Sequence, residues 1–560
     1  MSFTRALPLS VPIIPGETAT SLASRLAHRN GTPRLISFCT DLGIDYFRLS
    51  NGDVDEVRHV AVLAGQDADI LQSNTPSLSE QDWFLLGDET IKFTVFQRTK
   101  PQICPMCFRE ACQNSGAPFA YQLGIWQLTS VRTCHKHGCY LQELPKAPSG
   151  NDHFDIASLA LGANLTSPRF PDPKDLELER YLLRRIAGQK GNDWIDTLPI
   201  HVAAQTCEFF GLLLLNGPKS KRHETSPSEW LKAGRIGFSF LRHGPQALIE
   251  KMDELEQNRP DDTSLYIARY GVFFEWLRDR DTDPHFDGLR DLVRKFIFET
   301  FPVPKGGQVL GKKNPKRHKY TFDSLAKEKR LNKAQLGYML LDLGYVKRCE
   351  GSSHFAPIGY IPAAIGDDVA GKLKALRTPA QAAKNMGISK PVLDALTQNG
   401  VIETYFKHPQ AVPVYHPSVI AEYCHKLRDT FEPYAEMEKR GKPIAIRDAA
   451  RACKMPLWQA LALILRHPIP VTKRSRYHKG FEELRVIASD LTDILAKAQR
   501  QVTPVRESAK ALGTDAEGIY TLIAAGNLTE QRPEENDRHT RDRLIYRESL
   551  KDLLKSLPHP

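Results

Sequence analysis

The sequence predicts a mainly α, multidomain chain: an N-terminal helical domain with a zinc-knuckle module, followed by C-terminal tandem winged helix-turn-helix repeats. Three observations predict it. Apolar residues fall at helical spacing in segment after segment. Cys104-Pro105-Met106-Cys107 is answered by Cys134-His135-Lys136-His137, two close pairs carrying the ligand types of a tetrahedral zinc site. Beyond residue 320, one pattern of two short helices joined by a turn comes back four times.

A chain of 560 residues is too long for one core. With 41% hydrophobic and 25% charged residues it reads as globular, and no apolar run approaches the roughly 20 residues of a membrane-spanning helix. The opening MSFTRALPLSVPIIPGE has one Arg and no long apolar stretch, which argues against a signal peptide and for a cytoplasmic protein. Ten cysteines, several of them solitary, suit reduced thiols and one metal site better than a disulfide framework. The net charge of +10 is uneven: residues 1–304 carry −5 and residues 305–560 carry +15. A mildly acidic front suits protein partners, and a basic back suits a polyanion.

In chain order, Ala19, Leu22, Ala23 and Leu26 mark a helix that Asn30-Gly31 stops. Further helices are expected near Leu35–Leu42 and over residues 53–64. Trp83, Phe84, Phe93 and Phe96 are expected as core beneath the metal module, about residues 101–145. There Pro105 bends the chain so that Cys104 and Cys107 face one point, and Phe119 to Leu128 suggests a short strand or a strand running into a helix. His135, His137 and Cys139 all compete for the fourth ligand position. The C-x2-H spacing favours His137, giving Cys104, Cys107, Cys134 and His137 around a structural Zn²⁺, since four protein ligands leave no open position for catalysis.

The runs PGETATSLASRLAHRNG, CPMC and FAYQLGIWQLTSVRTCHKHGCYL resemble the TniQ/TnsD family of bacterial transposition proteins, over roughly residues 12–145. The sequence departs from the family by placing Ser21 four residues after Glu17, where the family tends to put Ser directly after Glu. The resemblance implies residues 1–145 as a TniQ-like domain and a target-site-selecting adaptor. Such an adaptor recruits an AAA+ transposition ATPase (TnsC- or TniB-like), and through it a transposase, to double-stranded target DNA at the bacterial nucleoid.

Residues 146–175, rich in Pro, Ser, Asn and Asp, read as a linker, and residues 176–304 return to helical periodicity as a further domain. GLLLLNGPKS is not a phosphate loop, because Pro218 sits between Gly217 and Lys219 and the spacing is wrong. Residues 305–320 read as a basic linker whose Lys312, Lys313, Lys316, Arg317 and Lys319 suit phosphates.

The four echoes over residues 321–560 start about 57 to 65 residues apart, at residues 320, 377, 442 and 502, leaving room for a small β-wing and a third helix in each. Candidate DNA contacts are Asn332, Lys333 and Gln335 in the first, and Ser389 and Lys390 in the second. In the third, Lys473, Arg474, Arg476, Tyr477 and Lys479 fall on a wing. The fourth opens its second helix with Asp515 and Glu517, which repel phosphate. The first and third copies are expected to bind DNA, the second to assist and the fourth to pack. A helix-turn-helix transcriptional regulator with a structural zinc is the alternative. An enzyme is not expected, because no carboxylate cluster or nucleophile constellation is legible.

Overall fold

The computed structural model describes residues 5–80, 82–115, 119–258, 265–349, 354–408, 410–473, 484–535 and 543–556. Among them, 27 α-helices stand against fifteen strands of two to four residues, which makes the chain mainly α. The chain divides into two compact units, Met1–Lys319 and Tyr320–Pro560.

The front unit opens with α1 (Ala19–Arg29), α2 (Leu35–Asp41), α3 (Tyr46–Ser50), α4 (Val54–Ala64) and α5 (Ala68–Asn74). Thr18, Asp45, Asp53 and Asp67 accept first-turn amides of α1, α3, α4 and α5, satisfying donors that a helix start leaves unpaired. Leu22, Leu26, Val57, Val60, Leu63 and Leu71 are fully buried in their shared core. An antiparallel meander follows, β1 (Ser77–Glu80), β2 (Trp83–Leu86) and β3 (Glu89–Lys92), which helical periodicity did not reveal. Phe84 and Phe96 are buried as expected, but Phe93 is 45% exposed. Next come β4 (Gln102–Ile103), α6 (Pro105–Ser115) and β5 (Gln142–Glu143).

Residues 146–175 are not simply a linker. They contain α7 (Ile156–Leu161), whose Ile156 and Ala157 are buried, as is Phe154 just before it. Asp155 accepts from Ser24 Oγ (2.6 Å) and from the Leu35 amide (2.8 Å), tying this segment to the starts and faces of α1 and α2.

Seven helices complete the front: α8 (Glu177–Ile186), α9 (Trp194–Thr197), α10 (Ile200–Asn216), α11 (Pro227–Leu241), α12 (Pro245–Gln257), α13 (Tyr266–Arg278) and α14 (Asp287–Thr300). Helices α10 and α11 touch backbone to backbone. A Cβ at Gly211 would stand 1.8 Å from the Ala233 carbonyl oxygen, and one at Gly237 would stand 1.9 Å from that of Cys207. Gly237→Val should therefore force the helices apart and cost about 3 kcal/mol or more, read as a fall in the chemical-denaturation midpoint of the front unit. A midpoint unchanged by this variant would contradict the close crossing.

The basic stretch 305–320 is also not an irregular linker, despite its Gly and Pro. β6 (Gln308–Val309) pairs with β7 (Lys312–Lys313) across Leu310-Gly311, both at positive φ, as a two-residue hairpin requires. Arg294 Nε donates to the Val309 carbonyl (3.0 Å) and Asn314 Nδ2 to that of Val303 (2.9 Å), which fix the hairpin.

In the second unit a turn-linked pair of short helices followed by a third helix occurs four times, with differing strands around it. In the first copy, β8 (Lys319–Tyr320), α15 (Phe322–Lys329) and α16 (Lys333–Asp342) lead to the hairpin β9 (Val346–Arg348) and β10 (Phe355–Pro357), then to β11 (Ile361–Pro362) beside β8, and to α17 (Ala363–Ala375). In the second, α18 (Pro379–Met386) and α19 (Lys390–Gln398) lie between Arg377 and Tyr415, which exchange amide hydrogen bonds before α20 (Pro417–Asp429). After α21 (Tyr434–Arg440), the third copy runs β12 (Ile444–Ala445), α22 (Ile446–Ala452), α23 (Leu457–Arg466), β13 (Arg485–Val486) and α24 (Ala488–Arg500). The fourth runs β14 (Val502–Pro504), α25 (Val505–Leu512), α26 (Ala516–Ala524), β15 (Leu544–Tyr546) and α27 (Arg547–Ser556). β12 pairs with β13, and β14 with β15.

The turn between the paired helices is the same device each time. A left-handed residue stands at Arg330, Gly387, Lys454 and Gly513. The next residue then donates back to an alanine carbonyl: Leu331 to Ala326 (2.8 Å), Ile388 to Ala383 (3.0 Å), Met455 to Ala450 (2.9 Å) and Thr514 to Ala509 (3.0 Å). This satisfies carbonyls at the first helix's end, and the small Ala lets the second helix cross close by.

Candidate metal centre and its setting

The ladder between β4 and β5 brings the two halves of the knuckle together. Cys104 precedes α6, with Pro105 in the first turn where its missing N–H costs nothing. The Cys107 amide points at Cys104 Sγ (3.4 Å). On the other half, the Cys134 amide donates to the Cys139 carbonyl (2.9 Å) and Gly138, at φ +67°, donates to that of Cys134 (2.7 Å). This tight turn swings His137 back over the thiols.

His137 Nδ1 lies 3.4 Å from Cys104 Sγ, 3.3 Å from Cys107 Sγ and 3.6 Å from Cys134 Sγ, and the Cys107 and Cys134 sulfurs are 3.7 Å apart. A tetrahedron with metal–sulfur bonds of about 2.3 Å and a metal–nitrogen bond of about 2.0 Å has S···S edges of about 3.8 Å and S···N edges of about 3.6 Å. The four residues can therefore hold one metal ion, with all ligand atoms within 4.8 Å of one another. The three cysteines are buried, which closes the site to substrate. His135 is exposed, and Cys139, whose Sγ is 3.5 Å from that of Cys104, stays outside the mutual group of four.

With thiols alone, hydrogen bonds from Cys104 and Cys107 pull the Cys134 thiol well below its ordinary range, while the bond with Cys107 pushes Cys104 far above it. Thiols must lose their protons to ligate a divalent cation, so the affinity of this group for a metal rises with pH. His137 Nε2 faces Glu110 Oε1 at 2.9 Å, leaving Nδ1 for the metal. Glu110 is three residues after Cys107 on α6 and so shares its face, a signal the spacing of Cys and His alone does not carry.

Residues 8–141 match the family model described as TniQ. The front of this chain carries a TniQ domain. No protein of curated function matches the chain.

The TniQ domain is locked by its opening motif. Gly16 and Glu17 pair with Leu123 and Gly124, the extended run ahead of a 3-10 turn at Gly124–Gln127. Glu17 is fully buried, ion-paired to Arg25 at 2.7 Å and accepting from Ser21 Oγ at 2.8 Å. Ser21 Oγ in turn accepts from the Gln122 amide (2.9 Å). Ser21 thus links helix α1 to the segment leading to the knuckle. Burial holds the Glu17 carboxyl above its usual range despite Arg25.

Beside Cys134, Glu179 accepts from the Arg132 amide (2.7 Å) and the Thr133 hydroxyl. Burial pushes its carboxyl up to about 7 against those bonds. The folded chain therefore holds a proton there that the unfolded chain releases near pH 4.5. Wild type should be more stable relative to Glu179→Gln at pH 5 than at pH 8, the difference falling as pH rises through about 7, by roughly 3 kcal/mol in all. Parallel pH dependence of the two proteins in denaturant titrations would contradict this.

A second group, His201, Asp283 and His285, lies under Trp83, and there Asp283 already faces Lys92 at 3.4 Å.

Lys312, Lys313 and Lys316 are exposed, with Lys312 paired to Asp291 (2.9 Å). Arg317 and Lys319 are half-buried, and Arg317 donates to the Lys319 carbonyl. Asn332 is spent partly as the cap of α16, accepting from the Ala334 and Gln335 amides. Lys333 pairs with Asp323 (2.6 Å), and Gln335 is half-buried. Ser389 and Lys390 are exposed at the start of α19, with Lys390 paired to Asp394 (2.9 Å). Lys473 is half-buried beside the Thr472–Arg485 bridge. Arg474, Arg476, Tyr477 and Lys479 lie outside the described residues.

Helix α23 is buried from Gln459 to Leu465, so the second helix of the third copy has little free face. Its Arg466 and His467 are taken up by Glu534 (2.9 Å) and Glu535 (3.0 Å) of the fourth copy. By contrast, α26 of the fourth copy buries only Ile519.

Proposed function

We propose that this chain is a DNA-binding, target-site-selecting adaptor of a transposition system, TnsD-like, acting without catalysis of its own. Its TniQ domain is braced by a structural Zn²⁺ on Cys104, Cys107, Cys134 and His137. That domain recruits an AAA+ ATPase of the TnsC or TniB kind, and through it the transposase. Residues 321–560 are the tandem winged helix-turn-helix array that reads double-stranded target DNA.

The observation that carries this reading is the fourfold recurrence of a turn-linked helix pair followed by a third helix in the basic half of the chain, joined to a TniQ domain. The donor set and spacing at the knuckle support zinc, because three thiolates and one imidazole in a closed tetrahedron suit it best. In the first copy, the exposed start of α16 at Lys333 and the β9–β10 hairpin face DNA. In the third, the buried α23 leaves the wing around Lys473 to Lys479 as the gripping part. The second assists through Ser389 and Lys390, with Lys312, Lys313, Lys316, Arg317 and Lys319 adding phosphate contacts.

A genome-wide footprint of the bound chain tests the reading. One sharp site beside which insertions occur is expected. Diffuse binding, or sharp binding at promoters without insertions, would overturn it in favour of an accessory factor or a transcriptional regulator.

A further inference from the structure

The front unit holds a cavity of about 540 Å³ between the knuckle's outgoing strand and helices α10 and α11. Its walls carry Arg132, Arg169, Arg222 and Arg280 but one carboxylate, Glu208. Glu208 is used by Arg132 (2.6 Å) and Ser130 Oγ (3.0 Å). Among the described residues, no carboxylate lies within ion-pair distance of Arg169, Arg222 or Arg280. Arg280 is half-buried, and its charge is disfavoured by burial and then by the nearby Arg222. Arg169 and Arg222 are exposed and Arg280 is half-buried, with Asp279 and Asp283 partly balancing it, so the cavity presents three guanidinium groups that an anion can engage.

Two further features bear on the ligand. Gln205 lines the cavity from α10, is 8% exposed, and its Oε1 is an acceptor without a hydrogen-bond partner, which suits a donor such as a base amino group rather than a phosphate oxygen. The first turn of α11 at Ser226 to Ser228 lies on the wall, where the helix dipole favours negative charge, although Glu229 caps that turn. Apolar surface comes from Trp230 and Tyr140, each already held by one arginine: Arg132 lies 5.6 Å over Trp230, and Arg169 lies 5.9 Å over Tyr140.

We propose that this cavity binds a nucleotide, its phosphates held by Arg222, Arg280 and Arg169 and its base lying against Trp230 and Tyr140. Guanidinium forks match phosphate geometry, and more than one unpaired arginine asks for more than one negative charge. The volume admits a nucleotide or the end of a strand, and excludes a duplex about 20 Å across. The site is separate from the proposed DNA array and stands whether or not that array reads a target.

Titration calorimetry on the full-length chain tests it, using ATP, AMP, adenosine, and a trinucleotide with and without a 5′-phosphate. The phosphorylated ligands should bind and adenosine should not. Arg280→Gln and Arg222→Gln should each weaken binding at least about tenfold while the thermal transition is kept. Tighter binding of AMP or ATP than of the phosphorylated trinucleotide identifies a free nucleotide, and the reverse identifies a strand end. If Arg280→Gln fails to fold, Arg222→Gln on its exposed turn decides. Absence of binding by every phosphorylated ligand at millimolar concentration, or wild-type affinity in the folded variants, would overturn the proposal.

Discussion

Cys107→Ser is expected to abolish metal binding and to unfold the TniQ domain. Serine does not ionise near neutral pH, so the site loses a thiolate whose sulfur stands 3.3 Å from His137 Nδ1 and 3.7 Å from Cys134 Sγ. A structural zinc of this kind contributes roughly 10 to 16 kcal/mol of apparent binding energy, comparable with the about 5 to 15 kcal/mol that stabilises a whole domain. The cluster is also a junction. The turn from Cys134 to Cys139 and the helix from Pro105 meet there, at Glu110, which pairs with Lys136 and His137, and at the two-residue β4–β5 ladder. Metal content should fall from about one ion per chain to none, and the front's cooperative transition should be lost or drop by more than about 15 °C. A variant that keeps its metal, or keeps its transition without it, would contradict the assignment.

The second large effect is on DNA. Lys473→Glu, Arg474→Glu and Arg476→Glu together should weaken binding about 100-fold at moderate salt and lower the slope of log affinity against log salt by about 3. The burial of α23 sharpens this expectation, because the third copy then has few other means of contact. Its Arg466 and His467 are committed to Glu534 and Glu535. An unchanged affinity and slope would assign DNA binding to the other copies.

Much of the architecture was legible in the sequence where one residue type solves one local problem. The four repeats stood out because each pairs a small residue with a turn before a second apolar helix. The carbonyls of Ala326, Ala383, Ala450 and Ala509 accept the backbone amide in all four turns. The knuckle was legible because Cys and His at x2 spacing have few other uses in a reduced protein. His137 could be chosen over His135 on spacing, and Gly138 in the left-handed region is the reason that choice is physically accessible.

What was hidden depended on partners distant in sequence. The segment 146–175 reads as a linker from its Pro and Asn, yet Asp155 finds Ser24 and the Leu35 amide more than a hundred residues away. The stretch 305–320 reads as a basic linker, yet Gly311 in the left-handed region lets β6 turn into β7. Glu110 and Glu179 carry no signal in the local sequence, and only the folded knuckle places one on His137 and the other under Thr133. The buried face of α23 was likewise invisible, since its leucines suit an ordinary amphipathic helix as well as one enclosed by three repeats.

The claim at the centre is a division of labour, with a metal-braced front that recruits protein and a repeat array that holds DNA. The most direct measurement compares full-length wild type and Cys107→Ser in parallel, for affinity to the footprinted target DNA and for capture of the transposition ATPase. DNA affinity should stay within about twofold while ATPase capture is lost, as for independent sites in separate units. Loss of DNA affinity together with the metal would contradict the division.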